Sequence, residues 1–564
     1  MTCSHRKRKC DKKSQKHKSC HCNDNNKEVK QICQVPSTLT DAIQVPDMVK
    51  FGNGGGLLSQ DFPFISKDGK LIYTIYITSP NVNGVAQAEL FQNVNNGTFN
   101  SIAKILPDNF ALGLDINTRC GGNSGTSGGG TDTGGASPDF SLFSILDDDT
   151  FNQENNLIAG NLRIRVFDQA GLVSGTPQGT IIFSDFSSSS GSANGGIISN
   201  DNKYLVFNYI STNGTATKPV LKVIPISLFK SGLTVCNPVV PTIEIDGFSN
   251  GPNLVTLNGV LYIALGFQTI ASFTDTLPIP PFGFAIYKFD VVALSLVFKS
   301  VPFARAPNVS LTKLSEDVVR IAAVSGQYTF NANSCPPVAT TTIAPFVPSV
   351  GSNLIIADAP DTNNFQVFDF TASTGSIVKI FSENYEGSLL ASWIPASNGT
   401  ALLVSQRISG RLEKGKTPPD CLNRCSSKKG DCAPTAGFDS ATYFGTAVTF
   451  ALILNEDDCG NFTAIQVGTL HHSMTTVNGP VISEDSQWFV TGTAPITPLG
   501  YDKLPSFGFP NVLGTVNQFL PYSTCDIVGF YTLLLYKLDY PAVAKCDKKK
   551  DDCYSNCQKI FIRC

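Results

Sequence analysis

One strand-turn-strand phrase recurs along the chain without gaps, and it constrains the fold more than any other feature. Its three clearest copies begin at Ile65, Ile198 and Ile482 and read ISKDGKLI, ISNDNKYL and ISEDSQWF. In each copy a hydrophobic strand end precedes a polar turn that tolerates left-handed backbone, and a new hydrophobic strand follows. The phrase therefore predicts a chain built of antiparallel β-hairpins.

The stretch from Asn364 to Phe381 shows such a hairpin in full. Apolar and polar residues alternate from Asn364 to Phe370, the chain turns at TASTG, and the alternation resumes after Gly375. This pattern is typical of two antiparallel strands joined by a short loop that contains glycine.

Weaker copies and a second phrase fill the chain between the clear copies. In the second phrase a strand ends in an aromatic or apolar residue and Asp. The two phrases alternate roughly every sixty to ninety residues, which indicates a repeat fold whose units must stack to bury their faces. The weaker copies are predicted at residues 143–151, 254–262, 311–321 and 394–403, and the second phrase ends at Asp168, Asp290, Asp369 and Asp539.

These phrases resemble the repeats of β-propellers, in particular the TolB-like and lactonase-like groups, over roughly residues 40–540. The resemblance implies an all-β fold, a ring of about seven four-stranded blades. A string of β-sandwiches is the alternative that also fits short strands between turns. We expect the ring to close by pairing the strand at residues 527–535 with a segment near Ile43.

The predicted domains follow from changes of composition. Residues 1–38 form a basic tail rich in Cys and His, which we expect to be disordered because it cannot bury a core. Residues 39–541 form the propeller, with a Gly-rich flexible insertion near 120–137 and a Cys-rich insertion near 411–435. Residues 542–564 form a second Cys-rich tail.

Charge and hydropathy exclude some function classes. The net charge of -3 and the pI near 6.0 provide no overall field that would attract nucleic acid or an anionic membrane. Residues 1–30 are basic but lack the apolar run of a secretory signal, and no apolar run reaches the length of a membrane span. We therefore expect no membrane span, and nucleic acid could bind only through the N-terminal tail.

Cysteine spacing is the most specific local signal. Cys421, Cys425 and Cys432 repeat the spacing of Cys553, Cys557 and Cys564, and six residues separate Cys3 from Cys10 and Cys546 from Cys553. Disulfides and zinc both remain open, and free surface thiols are the third alternative. The total of 17 is odd, so at least one cysteine is unpaired within the chain or pairs with another chain. The candidates for disulfides or metal binding are Cys3, Cys10, Cys20, Cys22, Cys33, Cys421, Cys425, Cys432, Cys546, Cys553, Cys557 and Cys564, with His5, His17 and His21 as further candidate zinc ligands.

No catalytic residue is predicted. His471 and His472 form the one histidine pair of the predicted propeller, without the G-x-S-x-G motif that would accompany a nucleophile. The acidic runs at Asp147, Asp148 and Asp149 and at residues 456–458 could bind calcium, but neither has an EF-hand frame. A solvent-facing or strand-end pair is the simpler interpretation of the two histidines, and solvated loops are the simpler interpretation of the acidic runs.

These observations favour a non-enzymatic structural or interaction protein whose Cys-rich tails bind protein partners or further copies of the chain. The combination is similar to capsid-associated proteins of large DNA viruses, and that similarity implies a virion or surface coat. No cofactor is expected in this case. Two alternatives are a lactonase-like or hydrolase-like enzyme with zinc or calcium in the propeller channel, and a cytoplasmic hub whose tail binds zinc or nucleic acid.

Overall fold

The fold is described by a computed structural model, and the chain is almost entirely β-strand within the described ranges. One short α-helix, α1 (Gln169–Ser174), and two 3-10 turns interrupt the strands. The described residues are 43–44, 49–50, 57–60, 63–78, 85–95, 98–105, 120, 131–148, 159–187, 193–212, 217–245, 247–249, 251–269, 282–303, 307–325, 363–385, 388–412, 442–457, 460–472, 475–476, 480–494 and 532–538.

The strands follow one another in antiparallel meanders. They are β1 (Ile43–Gln44), β2 (Val49–Lys50), β3 (Leu57–Gln60), β4 (Phe64–Ile65), β5 (Leu71–Thr78), β6 (Val85–Asn95), β7 (Thr98–Ile105), β8 (Thr131–Ala136), β9 (Leu142–Asp148), β10 (Ala159–Asp168), β11 (Gly179–Ser187), β12 (Asn194–Ile198), β13 (Tyr204–Thr212), β14 (Thr217–Pro225), β15 (Thr234–Cys236), β16 (Thr242–Glu244), β17 (Gly247–Ser249), β18 (Asn253–Leu257), β19 (Val260–Thr269), β20 (Phe282–Phe289), β21 (Leu294–Phe303), β22 (Asn308–Lys313), β23 (Val318–Val324), β24 (Phe365–Thr371), β25 (Ser376–Glu383), β26 (Ser388–Trp393), β27 (Ala401–Leu412), β28 (Thr442–Glu456), β29 (Phe462–His472), β30 (Thr475–Thr476), β31 (Val481–Ile482), β32 (Trp488–Ala494) and β33 (Thr532–Lys537).

The strands form a β-propeller, which confirms the predicted fold class. Five sheets are separate blades: β3–β7, β17–β21, β22–β25, β26–β29, and β30–β33 with β1 and β2. The sixth sheet, β8–β16, has nine strands, because a bridge between Phe186 and Ser211 joins two meanders into one sheet. The predicted count of about seven blades is therefore wrong, since five blades are separate within the described residues.

Inner strands of successive meanders contact one another around a ring. Such contacts join β5 to β8, β8 to β12, β18 to β22, β22 to β26, β26 to β31, and β31 to β4. Between β12 and β18 the ring continues where Gly195 lies against Pro252. Each sheet therefore has a neighbour on both of its faces.

Hydrophobic cores fill the spaces between neighbouring sheets. Val367 of β24 packs with β27 and β28 on one side, whereas Phe368 of the same strand packs with β19, β20 and β23 on the other. The outer strand β25 instead alternates exposed and partly buried residues. Inner strands that bury both faces read as nearly continuous hydrophobic runs.

Glycines allow β8 and β12 to approach closely. A Cβ at Gly134 or Gly196 would collide with Ser144 or Leu146, and the Ser144 hydroxyl donates to the Gly196 carbonyl at 2.5 Å. The predicted flexible insertion near 120–137 is therefore too long, because Thr131–Ala136 is the inner strand β8. Gly134 and Gly135 of this strand allow close packing.

The ring closes as predicted, by pairing the two ends of the described chain. Ile43 of β1 lies opposite Lys537 of β33, and Val49 of β2 lies opposite Leu533. The other edge of β33 pairs with β32. An early segment of the chain thereby completes the last blade.

Deletion of residues 43–50 should lower the thermal unfolding midpoint, because it leaves an edge of β33 unpaired and opens the ring. A variant that lacks residues 1–37 but keeps β1 and β2 is the control. Both should be compared with the full chain by differential scanning calorimetry in the presence of reductant. An unchanged midpoint for the 43–50 deletion would contradict closure through this strand pair.

Candidate functional site

Among the described residues, four turns of the same construction lie at one end of the meanders, and we call them the Ser-Asp turns. In the first, the Ser66 hydroxyl donates to Asp68 Oδ1 at 2.9 Å and accepts from the Leu71 amide at 2.9 Å. Asp68 Oδ1 also accepts from the Lys70 amide at 3.1 Å. The two side chains thus satisfy backbone amides that the tight turn leaves without a partner.

The fourth residue of every Ser-Asp turn has left-handed backbone. Gly69 occupies this position in the first turn with φ 70°, and Phe140 occupies it in the second with φ 56°. A Cβ at Gly69 would also collide with the indole ring of Trp488. The turns span Ser66–Leu71, Ser137–Leu142, Ser199–Tyr204 and Ser483–Trp488.

The copy predicted at residues 143–151 is wrong, because the turn of that meander is Ser137–Leu142 and Phe143 lies within β9. Ser137 and Asp139 keep the spacing of the phrase, and this signal was available in the sequence. Phe140 obscures the signal, because Gly, Asn or Asp is expected at a left-handed position.

Hydrogen bonds between turns join neighbouring meanders. The Asn202 side-chain amide donates to Asp139 Oδ2 at 2.8 Å, and the Ala396 amide donates to the Ser486 hydroxyl at 3.2 Å. The first and last blades meet in the same way, since the Asp485 amide donates to the Lys67 carbonyl at 3.1 Å. Lys67 Nζ also lies 3.0 Å from Glu484 Oε1. We call this end of the propeller the turn face.

The turn face exposes charges of both signs in pairs. Lys67 and Glu484 are 68% and 56% exposed, and Lys203 pairs with Asp201 at 3.0 Å. Lys70 pairs in the same way with the carboxylate of its own turn.

Hydrogen bonding keeps Asp139 ionised. Its partial burial opposes ionisation, but hydrogen bonds from Ser137, Ser141 and Asn202 outweigh that effect and lower the pKa of Asp139 to about 2. The pKa of Asp201 in the next turn is lowered too: burial again opposes ionisation, and hydrogen bonds from its own turn prevail.

Asp147, a predicted calcium ligand, lies in a buried ion cluster. Asp147 Oδ2 lies 2.8 Å from Arg163 Nη2 and 2.8 Å from Arg165 Nη2. All three side chains are less than one-tenth exposed. Two guanidinium groups of β10 thus contact this carboxylate of the neighbouring strand β9. Asp148 pairs in register with Leu162 of β10, and Asp149 lies outside the described residues.

The sequence carried a signal for this cluster that the prediction missed. Arg163 and Arg165 stand in the strand sequence LRIRVF, so both project from one face of β10. Two charges inside an otherwise apolar strand require a buried carboxylate partner. The partner could not be identified from the sequence, since β9 and β10 are separated by a long connection.

A second, partly buried ion pair lies within the blade β22–β25, and its arginine also contacts the blade β26–β29. Arg320 Nε and Nη2 donate to the two carboxylate oxygens of Asp369 at 2.7 and 2.8 Å. The third nitrogen of Arg320 donates to the Gly399 carbonyl at 3.1 Å, and its guanidinium lies over the ring of Phe462. One arginine thus contacts both blades.

A third polar group lies where the two meanders of the nine-stranded sheet meet. Asp185 accepts hydrogen bonds from the hydroxyl groups of Tyr209 and Ser211 at 2.7 and 2.5 Å. Lys222 Nζ lies 4.3 Å from the ring centroid of Phe183. Burial lowers the pKa of Lys222, whereas the Asp185 charge opposes that shift, and burial raises the pKa of Tyr209.

The structure contains a disulfide that was not predicted, between Cys120 and Cys236. Cys236 belongs to β15, which runs parallel to β11 and covers its edge. The spacing of these two cysteines resembles none of the repeated spacings, so the sequence carried no signal for the pair. The twelve predicted cysteines lie outside the described residues, as do His5, His17 and His21.

The predicted histidines belong to the outer strand β29, where His471 and His472 pair in register with Val448 and Ala447. Of the second acidic run, Asp457 accepts hydrogen bonds from the backbone and side chain of Asn461 within the β28–β29 turn. Within the described part of the chain, no three His, Cys, Asp or Glu side chains are grouped to hold a metal ion. The described residues also include no helix with the length and apolar character of a membrane span.

Comparisons with known proteins show distant similarity only. No protein-family model matches the chain, and no curated protein matches its sequence. An oligogalacturonate lyase in complex with manganese is 11% identical with a TM-score of 0.36. The match covers 90% of this chain and 97% of the lyase chain. Prolyl oligopeptidase B from Galerina marginata is 12% identical with a TM-score of 0.34, over 78% of this chain and 55% of its own. The phage phi92 endosialidase is 8% identical with a TM-score of 0.35, and the match covers 90% of this chain and 71% of the endosialidase chain.

The Asp139→Asn substitution should destabilise the protein at neutral pH and have little effect in acid. The native carboxylate titrates near pH 2 and the unfolded one near 3.8, so its ionised form stabilises the fold above about pH 4. That contribution should disappear progressively as the pH falls towards 2. Urea unfolding between pH 7 and 2 measures the difference in unfolding free energy between the two proteins. A difference that grows as the pH falls would contradict the low pKa of Asp139.

The Asp147→Asn substitution should cost about 3–5 kcal/mol of unfolding free energy, because it removes a buried carboxylate charge that contacts two guanidinium groups. Lys218→Met is the matched control. It removes an exposed pair with Glu244, worth about 0–1 kcal/mol. Denaturant titration of both variants measures the loss of unfolding free energy. Equal losses would show that the buried cluster stabilises the fold no more than the exposed pair does.

Proposed function

We propose that this protein is a non-enzymatic structural or interaction protein: a propeller scaffold held in a larger assembly by its Cys-rich terminal segments. The proposal is supported by the contacts that the described polar groups make within the propeller. Asp139 and Asn202 on the turn face, and Asp147 and Arg320 in the interior, all join one strand or sheet to the next. These groups stabilise a rigid ring.

The turn face is the surface that we assign to protein contacts. Its loops are short, are joined to one another by hydrogen bonds, and carry exposed charges of both signs. A pre-organised polar surface loses little conformational entropy on binding, so it can contribute to an assembly without rearrangement. A virion or surface coat is the assembly that we propose, and the candidate cysteines would crosslink the chain to neighbouring copies there.

The full chain purified without reductant should form disulfide-linked multimers that return to the 60.3 kDa monomer on reduction. A full-length variant with its twelve candidate cysteines changed to serine should stay monomeric under denaturing conditions. Mass photometry and non-reducing electrophoresis of the two proteins measure this. Monomeric wild-type protein would contradict the coat proposal.

Metal analysis of the same two proteins separates the alternatives. Stoichiometric calcium or zinc retained by the serine variant would overturn the proposal in favour of a channel enzyme. Zinc bound by the wild-type protein, with free thiols and no metal in the serine variant, would favour the zinc-binding hub. In the scaffold proposal neither protein contains stoichiometric metal.

A further inference from the structure

The chain enters β1 at the edge of the turn face. Trp488, the last residue of a Ser-Asp turn, lies opposite Lys537, and Lys537 lies opposite Ile43 on its other side. The Leu538 amide also donates to the carbonyl of Gln487 within that turn. β1 therefore runs away from the turn face, and the chain before Ile43 leaves the propeller at this face.

The turn face also includes connections between the third and the outer strand of the meanders. The Ile226 amide, just after β14, donates to the Lys203 carbonyl of a Ser-Asp turn. Phe289, the last residue of β20, pairs with Leu261 at the start of β19. Third strands thus end beside the turns at which second strands begin.

Acids outnumber lysines in the described turns and connections of this face. The nine acids exceed the four lysines by five charges, whereas the net charge of the whole chain is -3. All nine acids except Asp317 are exposed. The lysines are Lys67, Lys70, Lys203 and Lys230, and the acids are Asp68, Asp139, Asp201, Asp290, Glu316, Asp317, Asp457, Glu484 and Asp485.

Neutral donors stabilise several of these acids as anions without neutralising their charge. Asp485 accepts hydrogen bonds from the Ser483 hydroxyl and the Gln487 amide. A hydrogen bond from the Ala293 amide lowers the pKa of Asp290. The negative charge of the turn face therefore remains available to attract cations over about 8–10 Å at moderate salt.

Exposed valines lie among these acids. Val291 and Val292 follow Asp290 and are 63% and 84% exposed, and Val173 of α1 is 57% exposed. The aliphatic stems of Lys and Arg can cover apolar surface while their charged ends reach carboxylates. The turn face is thus complementary to a polypeptide segment with many long basic side chains.

Residues 1–30 have the charge and the length to cover this face. They contain ten Lys and Arg residues and three acids. Lys18 precedes Ile43 by 25 residues. Such a stretch extends to about 80 Å, whereas a domain of this size has a radius of gyration of about 23 Å. Attachment through β1 gives the segment a high effective concentration at the turn face.

We propose that residues 1–30 bind to the turn face of their own propeller, through ion pairs with its acids and contacts between basic side-chain stems and its exposed valines. The bound segment covers the surface that we assign to protein contacts, so a partner must displace it. This regulatory consequence rests on the proposed function, whereas the binding within one chain does not.

Zero-length crosslinking tests the contact in the full chain, kept dilute and reduced. A carbodiimide joins a lysine amine to a carboxylate that it contacts, and mass spectrometry identifies the pair. We expect links from lysines of residues 1–30 to acids of the turn face. These links should be lost in 1 M NaCl, where the Debye length is about 3 Å.

Glu244 is the control acid, because it is as exposed as Glu484 but lies opposite Val220, away from the turn face. The absence of links to the turn face, or equally frequent links from the same lysines to Glu244, would overturn the proposal. An equal mixture of unlabelled and nitrogen-15-labelled chains identifies links between copies. Links that join labelled to unlabelled peptides would overturn binding within one chain.

Charge reversal provides a second readout. A full-length variant with Lys7→Glu, Arg8→Glu and Lys9→Glu should show about tenfold fewer links from the remaining lysines of the segment. The control reverses three charges of the other terminal segment and should leave the links unchanged; it carries Lys548→Glu, Lys549→Glu and Lys550→Glu. Equal decreases in both variants would contradict specific binding of residues 1–30. The coat proposal would survive that outcome, because disulfide-linked multimers test it separately.

Discussion

The propeller depends on the contact between its first and last blades. Inner strands such as β24 bury side chains on both faces, so every sheet needs a neighbour on each side. A linear row of sheets would leave two apolar faces in water. Pairing of β1 with β33, together with the bonds between Lys67 and the turn at Glu484, removes both exposed ends at once.

Polar groups also hold neighbouring strands together, and at one place they join two blades. Asp147 binds two arginines in the interior, and Arg320 contacts two blades through Asp369 and Gly399. Burial of charge is costly, and such pairs seldom stabilise a fold more than apolar residues of the same shape would. Their value lies in geometry, because a hydrogen-bonded guanidinium accepts few alternative alignments of neighbouring sheets.

The Ser-Asp turns show how far local chemistry can be read from sequence. The repeated phrase, a hydrophobic strand end followed by a polar turn with Ser and Asp two residues apart, located the turns at Ser66, Ser199 and Ser483. These side chains bond to their own backbone. The turn at Ser137 escaped because Phe140 adopts the left-handed backbone there. Phe140 packs against Phe143 in the core, and this contact compensates for the unfavourable backbone.

The sequence by itself determined the all-β class, the hairpins and the closing segment, since period-two alternation and turn residues act over a few positions. Only the tertiary structure decided which sheets merge, which carboxylate neutralises Arg163 and Arg165, and that Cys120 meets Cys236. These outcomes depend on contacts between residues far apart in the chain, such as the close approach of Gly134 and Gly196. The sequence does not indicate such contacts, because they form only when distant strands meet in the closed ring.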